Sequence, residues 1–222
     1  MRAAFLALGL LALGLSGCRS QTPPPPPRFV SPLFDPALTG RLESAERDRW
    51  QKPDAVVAAL ELRRGETVAD VGAGSGYLER RLSRAVGPRG RVYAEEIQPA
   101  FLSPLRRRAA LLPNVRVVLG TASNPRLPAG SVDCFVLLTV YHEVQQPTAF
   151  LRTLHRFARP GARLAIIDFD DTRNGTLPAP VNHWVAESDV LAEAKAAGWT
   201  LSERHQFLSS QFYLVFRQAQ PT

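Results

Sequence analysis

Short apolar runs alternate with amphipathic segments along most of the chain. ETVADVG (66–72), RVYAE (91–95), VRVVLG (115–120), SVDCFVLLTV (131–140) and RLAIIDFD (163–170) are nearly continuous in buried-type residues. That is the pattern of strands covered on both faces. Between them the spacing predicts helices over 77–86, from the Pro99–Pro104 region to 112, and over 147–158, where Pro147 suits a first helical turn. Upstream, 41–50 reads as a charged helix and 53–62 as a second short one, ended by Gly65. Downstream, Ser188 can cap a helix to Ala197, broken by Gly198, and strands at 199–206 and 211–217 follow with no helix between them. Strands alternating with helices predict an α/β fold, a doubly wound and mostly parallel seven-stranded sheet. The last two strands should form an antiparallel hairpin at one edge.

The first residues do not fit that alternation. One positive charge, Arg2, precedes an apolar stretch from Ala3 to Leu15, which gives way to small residues and Cys18. The stretch is too short for a permanent membrane span and has the layout of a secretory signal. Leu15-Ser16-Gly17-Cys18 resembles a bacterial lipobox, which implies cleavage before Cys18 and lipidation of its thiol. Arg19 in place of Asp implies, on the same resemblance, no retention at the inner membrane. Five consecutive prolines at 23–27 favour an extended spacer. The expected organisation is therefore a signal peptide over 1–17, a lipid-anchor cysteine and proline-rich tether over 18–39, and a globular domain over 40–222. The address would be the cell envelope, at the outer membrane or periplasmic face, or the cytoplasm if the leader is not processed.

Composition removes several function classes. The 222 residues are 45% hydrophobic and 21% charged, enough for one well-filled core and a poor match to disorder. Two cysteines, Cys18 and Cys134, exclude a disulfide-dense scaffold and a cysteine-cluster zinc module. The four histidines stand at 142, 155, 183 and 205, with no metal-ligand spacing, so no metal is expected. A formal charge of +7 invites a nucleic-acid reading. All basic residues except Lys52 and Lys195 are Arg, spread along the chain, and the densest runs fall inside helix-like segments. They read as solvated helix faces, which argues against nucleic acid.

The chemistry-bearing string is Asp70-Val71-Gly72-Ala73-Gly74-Ser75-Gly76, between the first buried strand and the next helix. Glycine there lets the backbone turn sharply and lets a ligand approach the peptide plane. A nicotinamide-dinucleotide fingerprint, G-x-G-x-x-G, would need its third glycine at Tyr77. The string instead resembles motif I, D-x-G-x-G-x-G, of the class I S-adenosylmethionine-dependent methyltransferases. The resemblance runs from about Trp50 to Phe216 and implies a Rossmann-like methyltransferase fold with S-adenosylmethionine as cofactor. It assigns Asp70, Gly72, Gly74 and Gly76 to the cofactor loop. VYAEEIQP resembles the segment that carries the ribose-binding acid and aligns Glu96 with it, Glu standing where Asp is commoner. In relatives an Asp near 121 contacts adenine; this chain has Thr121 and Ala122, whose backbone groups would substitute. Trp50-Gln51-Lys52-Pro53 resembles a segment that packs over the cofactor, although Trp50 also reads as a core aromatic.

Ligands of such sheets lie outside the carboxyl ends of the strands. The fourth strand ends in Thr139-Val140-Tyr141-His142-Glu143 and the fifth in Asp168-Phe169-Asp170. His142 is the candidate general base, since imidazole titrates near neutrality. Tyr141 is a candidate to orient the acceptor and Asp168 a second acid–base candidate, with His183 able to reach over from the following loop. Cys134, mid-strand in an apolar run, reads as inert. The function expected is methyl transfer to a small-molecule or lipid acceptor. The alternative is a non-catalytic envelope lipoprotein that uses the same fold as a binding module, since a lipidated Cys18 would hold the domain away from where the cofactor is made. Gly74→Val is expected to abolish cofactor binding.

Overall fold

The computed structural model describes residues 33–170 and 183–218. The signal peptide, Cys18 and the proline run lie outside the described residues. Seven strands form one sheet: β1 (Thr67–Val71), β2 (Arg91–Glu96), β3 (Val115–Leu119), β4 (Val132–Leu138), β5 (Ala158–Phe169), β6 (Trp199–His205) and β7 (Gln211–Gln218). Their spatial order is β3-β2-β1-β4-β5-β7-β6. The first five pair in parallel, and β7 pairs antiparallel to both β5 and β6. The doubly wound, mostly parallel architecture is as expected. The expected antiparallel hairpin closes one edge of the sheet, its second strand lying next to β5 and the half-exposed β6 outermost.

The helices are α1 (Thr39–Leu42), α2 (Ala45–Gln51), α3 (Pro53–Ala59), α4 (Glu79–Val86), α5 (Pro99–Ala109), α6 (Pro147–Leu154) and α7 (Glu187–Ala196). Among the described residues no helix is long and apolar enough to cross a membrane. Side-chain alternation divides the core between the two faces of the sheet. Phe135, Leu137, Leu164 and Ile166 meet α6 and α7 on one face. Cys134, Val136, Ala165 and Ile167 meet α3, α4 and α5 on the other. Cys134 is fully buried, and burial pushes its thiol up to about 12, so it stays a protonated, inert packing residue.

Three local outcomes differ from the sequence expectation: Ser188 lies inside α7, which Ala186 precedes with no side-chain cap, and the other two concern α6 and the tether. The helix expected to reach 158 stops at Leu154, and β5 begins at Ala158, running through Pro160 and Gly161. Its pairing with β4 is irregular between Val132 and Cys134, which leaves the Pro-Gly step exposed beyond the regular ladder. Part of the stretch assigned to the tether packs on the domain. Asp35 caps a short 3₁₀ turn, Pro36–Leu38, and the Phe34 ring lies 6.3 Å from that of Phe101. Gln98 Nε2 donates to the Phe34 carbonyl at 3.2 Å.

Candidate functional site

A cavity of about 260 Å³ opens at the carboxyl ends of β1, β2, β4 and β5. It runs from the glycine loop and Glu96 to His142, Glu143 and His183. The loop is shaped by backbone need. Gly72 has φ +77°, and a Cβ there would lie 2.5 Å from Val140 Cγ2, so no side chain fits between the loop and the end of β4. The loop amides are largely committed within the protein: Gly72 and Ala73 N–H donate to the Glu95 carbonyl at 3.0 and 2.8 Å. The Gly74 N–H donates to Glu96 Oε2 at 2.8 Å. The loop therefore serves as a rigid wall docked on β2 more than as an open anion nest.

Both acids at the end of β2 reach the cavity, although only Glu96 was expected to. Glu96 Oε1 accepts from the Ile97 and Gln98 N–H groups, each at 2.7 Å. Oε2 receives only the Gly74 N–H among these, which leaves acceptor capacity for a ligand hydroxyl. Glu95 turns toward Gly120, where a Cβ would lie 1.7 Å from its Oε1, so any side chain there would force the Glu95 carboxyl to move. Burial raises Glu95 to about 8, with the Glu96 and Asp70 charges adding to the rise and a hydrogen bond from Gly72 opposing it.

Behind the loop, Asp70 is buried beside Glu79. Burial raises Asp70 to about 7 and pushes Glu79 well above the carboxylate range, Asp70 adding to that rise. The two carboxyls share a side-chain hydrogen bond, which together with burial favours the protonated form of Glu79 and opposes the rise of Asp70. Facing these acids is Arg47 of α2, only 7% exposed. Burial lowers its pKa to about 10, against the pull of Tyr77, Asp70 and Asp48, so the guanidinium remains cationic at neutral pH. Arg47 stacks 3.9 Å from the Tyr77 ring centroid and donates to the Leu42 carbonyl at 3.0 Å, while its buried Nε has no partner among the described residues. Sequence reading missed this residue. Its one signal was an Arg inside the segment just before Trp50.

At the far end, the 3₁₀ turn Tyr141–Glu143 projects His142 toward the cavity. Asp168, fully buried at the end of β5, accepts from His142 Nδ1 at 2.7 Å and from its backbone N–H at 3.0 Å. It also accepts from the Phe169 N–H at 2.8 Å. With Nδ1 bearing the proton toward the carboxylate, Nε2 carries its lone pair on the cavity side, 3.1 Å from His183 Nδ1. Glu143 Oε1 lies 3.8 Å from the same Nε2. Burial raises Glu143 to about 7, Asp168 and Glu96 adding to the rise and His142 opposing it.

The expected site residues separate into three groups. Asp70, Gly72, Gly74, Glu96, Thr121, Ala122 and His142 all line the cavity, whereas Gly76 stands just behind it, against Leu105 and Arg108 of α5. Of the two residues whose backbone groups were expected on the adenine side, Thr121 pairs its N–H, carbonyl and hydroxyl with Asn124. Asp168 lies behind His142, outside the cavity lining, where it bonds both the ring and the backbone of that histidine. Tyr141 is a correction. Its ring is fully buried in the core under α7 and its hydroxyl donates to Glu193 Oε2 at 2.7 Å, away from the cavity. Trp50 lines the cavity, half-buried, with its ring 5.7 Å from that of Phe169, and is not part of the buried core.

These residues fit a nucleoside with an amino-acid tail. Glu96 offers a hydroxyl acceptor and Arg47 a partly unsatisfied cation for a carboxylate. Residues 69–166 match the methyltransferase domain family. A structure of an S-adenosylmethionine-dependent methyltransferase from Aquifex aeolicus is similar over 84% of this chain and all of its own, with TM-score 0.79 and 29% identity. The ubiquinone/menaquinone biosynthesis C-methyltransferase UbiE of Enterobacter sp. (strain 638) is 32% identical over 111 residues, 49% of this chain and 44% of that protein. A 37.1 kDa protein of transposon TN4556 from Streptomyces fradiae is 37% identical over 108 residues, 49% of this chain and 31% of that protein. The chain thus spans less than half the length of these curated relatives.

Proposed function

We propose that this chain, a class I S-adenosylmethionine-dependent methyltransferase domain by its fold and matched family, transfers a methyl group to a small or lipid-like acceptor bound at the His142 end of the cavity. The observation that carries this reading is one continuous cavity, with the glycine loop and Glu96 at one end and the Asp168-held His142 at the other. S-adenosylmethionine, when bound, supplies a methyl group already activated on a sulfonium. The protein's own residues then have three tasks.

Glu96 accepts hydrogen bonds from ribose hydroxyls through Oε2, and Arg47 faces the carboxylate of the amino-acid tail. Leu42, Trp50, Val140 and Phe169 exclude water and hold the acceptor in line for displacement. His142 receives the acceptor's proton at Nε2, its ring fixed by Asp168. The apolar lining suits an acceptor with an aromatic or aliphatic body, and the naming of UbiE relatives for quinone biosynthesis makes hydroxyaromatic compounds the first class to screen.

The test is formation of S-adenosylhomocysteine with a panel of such acceptors. Wild-type turnover with at least one acceptor, lost in His142→Ala with cofactor binding kept, supports the reading. Equal turnover in His142→Ala would remove His142 from the chemistry. The alternative, a non-catalytic envelope module, has no need of a carboxylate-oriented histidine at the acceptor end. Membrane anchoring through Cys18 is a separate proposal, carried by the leader sequence: Cys18→Ala should release the protein from the membrane fraction.

A further inference from the structure

We propose that His142, Glu143 and His183 form a binding site for a borderline divalent transition ion of the zinc class, at the acceptor end of the cavity. The inference rests on the reading that this end receives the acceptor. His142 Nε2 lies 3.1 Å from His183 Nδ1 and 3.8 Å from Glu143 Oε1, and the ligand atoms all lie within 4.8 Å of one another. Around a tetrahedral ion with bonds of about 2.0–2.1 Å, ligand atoms stand roughly 3.3–3.4 Å apart. The two separations from His142 Nε2, 3.1 and 3.8 Å, bracket that value, so side-chain rotation can bring the three ligand atoms onto one ion.

The second observation is the hydrogen bond behind the histidine. Asp168 accepts from Nδ1 of His142, which fixes the tautomer with its Nε2 lone pair toward the other two ligands. A carboxylate on the far nitrogen is the usual partner of a metal-bound imidazole and raises its basicity. Two imidazoles and one carboxylate select zinc, cobalt, iron or nickel over magnesium and calcium, which prefer all-oxygen shells. Protein ligands on one side leave the cavity side for water or an acceptor oxygen, the arrangement of a catalytic and not a structural site.

The site narrows the acceptor class to molecules with a hydroxyl next to their apolar body. On coordination the hydroxyl loses its proton to solvent. The oxygen–methyl bond then forms as the sulfur–methyl bond breaks, and the sulfonium becomes a neutral thioether. A cation and a proton compete for the same Nε2, so in the metal-loaded protein the acceptor is ionised by the ion, and in the metal-free protein by the imidazole.

The test uses chelator-treated full-length protein titrated with Co²⁺ and Zn²⁺, with Mg²⁺ as the control and S-adenosylhomocysteine binding measured on every sample. The expected result is one Co²⁺ per chain, with visible absorption of a four- or five-coordinate nitrogen–oxygen site, displaced by Zn²⁺ and untouched by Mg²⁺. Glu143→Gln and His183→Ala should each weaken it at least tenfold. The proposal is overturned by absence of stoichiometric Co²⁺ or Zn²⁺ binding, or by binding that neither variant changes. S-adenosylhomocysteine binding in the same samples reports the cofactor site separately, so loss of the metal site and failure of the methyltransferase reading give different results.

Discussion

Asp168 holds His142 twice, at ring Nδ1 (2.7 Å) and at the backbone N–H (3.0 Å), while itself fully buried. A carboxylate that fixes both the turn and the ring orients the imidazole without touching a ligand. Asp168→Asn should therefore lower kcat by about 10²–10⁴ and leave cofactor affinity within about threefold. Because Asp168 acts through His142, the pH profile of kcat should change shape as well as height. A uniform loss of folded protein with unchanged kcat per folded molecule would assign Asp168 a structural role only.

Tyr141 serves as the internal control. Its hydroxyl bonds Glu193 on α7, outside the cavity. Tyr141→Phe should cost about 1 kcal/mol of stability in a denaturant titration and leave turnover near wild type. A large drop in kcat with unchanged stability would return Tyr141 to the acceptor site.

Arg47 is expected to recognise only the amino-acid tail. In Arg47→Met, S-adenosylmethionine and S-adenosylhomocysteine should bind about 10–100-fold more weakly, the worth of a charge-assisted hydrogen bond. The affinity of 5′-methylthioadenosine, which lacks the tail, should not change. Parallel losses for all three ligands in calorimetry would show that Arg47 supports the loop and does not contact the tail.

The fold was legible wherever it follows from local period. Buried runs, glycine turns and the Asp70-to-Gly76 spacing declare strands, a loop and a helix within a few residues of each other. Glu96 was legible for the same reason, at a fixed distance past the loop. His183 was legible as a residue able to reach over from the loop before the last helix, but its distance from His142, a pairing across 41 residues, was not. Arg47 was hidden among charged neighbours that are solvated, and nothing in RLESAERDRW marks the one that turns inward. The direction of Tyr141 depends on a 3₁₀ turn, where strand alternation no longer predicts which way a side chain faces.

Buried acids give the stability a pH signature. The raised pKa values of Asp70 (about 7), Glu95 (about 8) and Glu79 mean the folded protein holds these protons more tightly than the unfolded chain. For Asp70 and Glu95 this contribution is complete below about pH 4 and is lost as pH rises through about 7 to 8. The Glu66–Arg163 pair, whose carboxyl is lowered, acts in the acid range and is constant across that window. Wild-type Tm should therefore fall by roughly 5 °C or more between about pH 5 and pH 8.5, and Glu95→Gln should flatten the decline. Identical slopes in the two proteins would contradict the protonated state of Glu95.

The most direct test of the central claim is calorimetric titration of the full chain with S-adenosylmethionine and S-adenosylhomocysteine, beside the Gly74→Val variant. Gly74 lines the cavity at φ +56°, and a branched side chain there strains the loop and enters the ligand's space. The account predicts one site per wild-type chain with Kd of about micromolar, and no detectable binding to a folded Gly74→Val protein. Absence of binding to folded wild type, or equal affinity in the variant, would contradict the cofactor site.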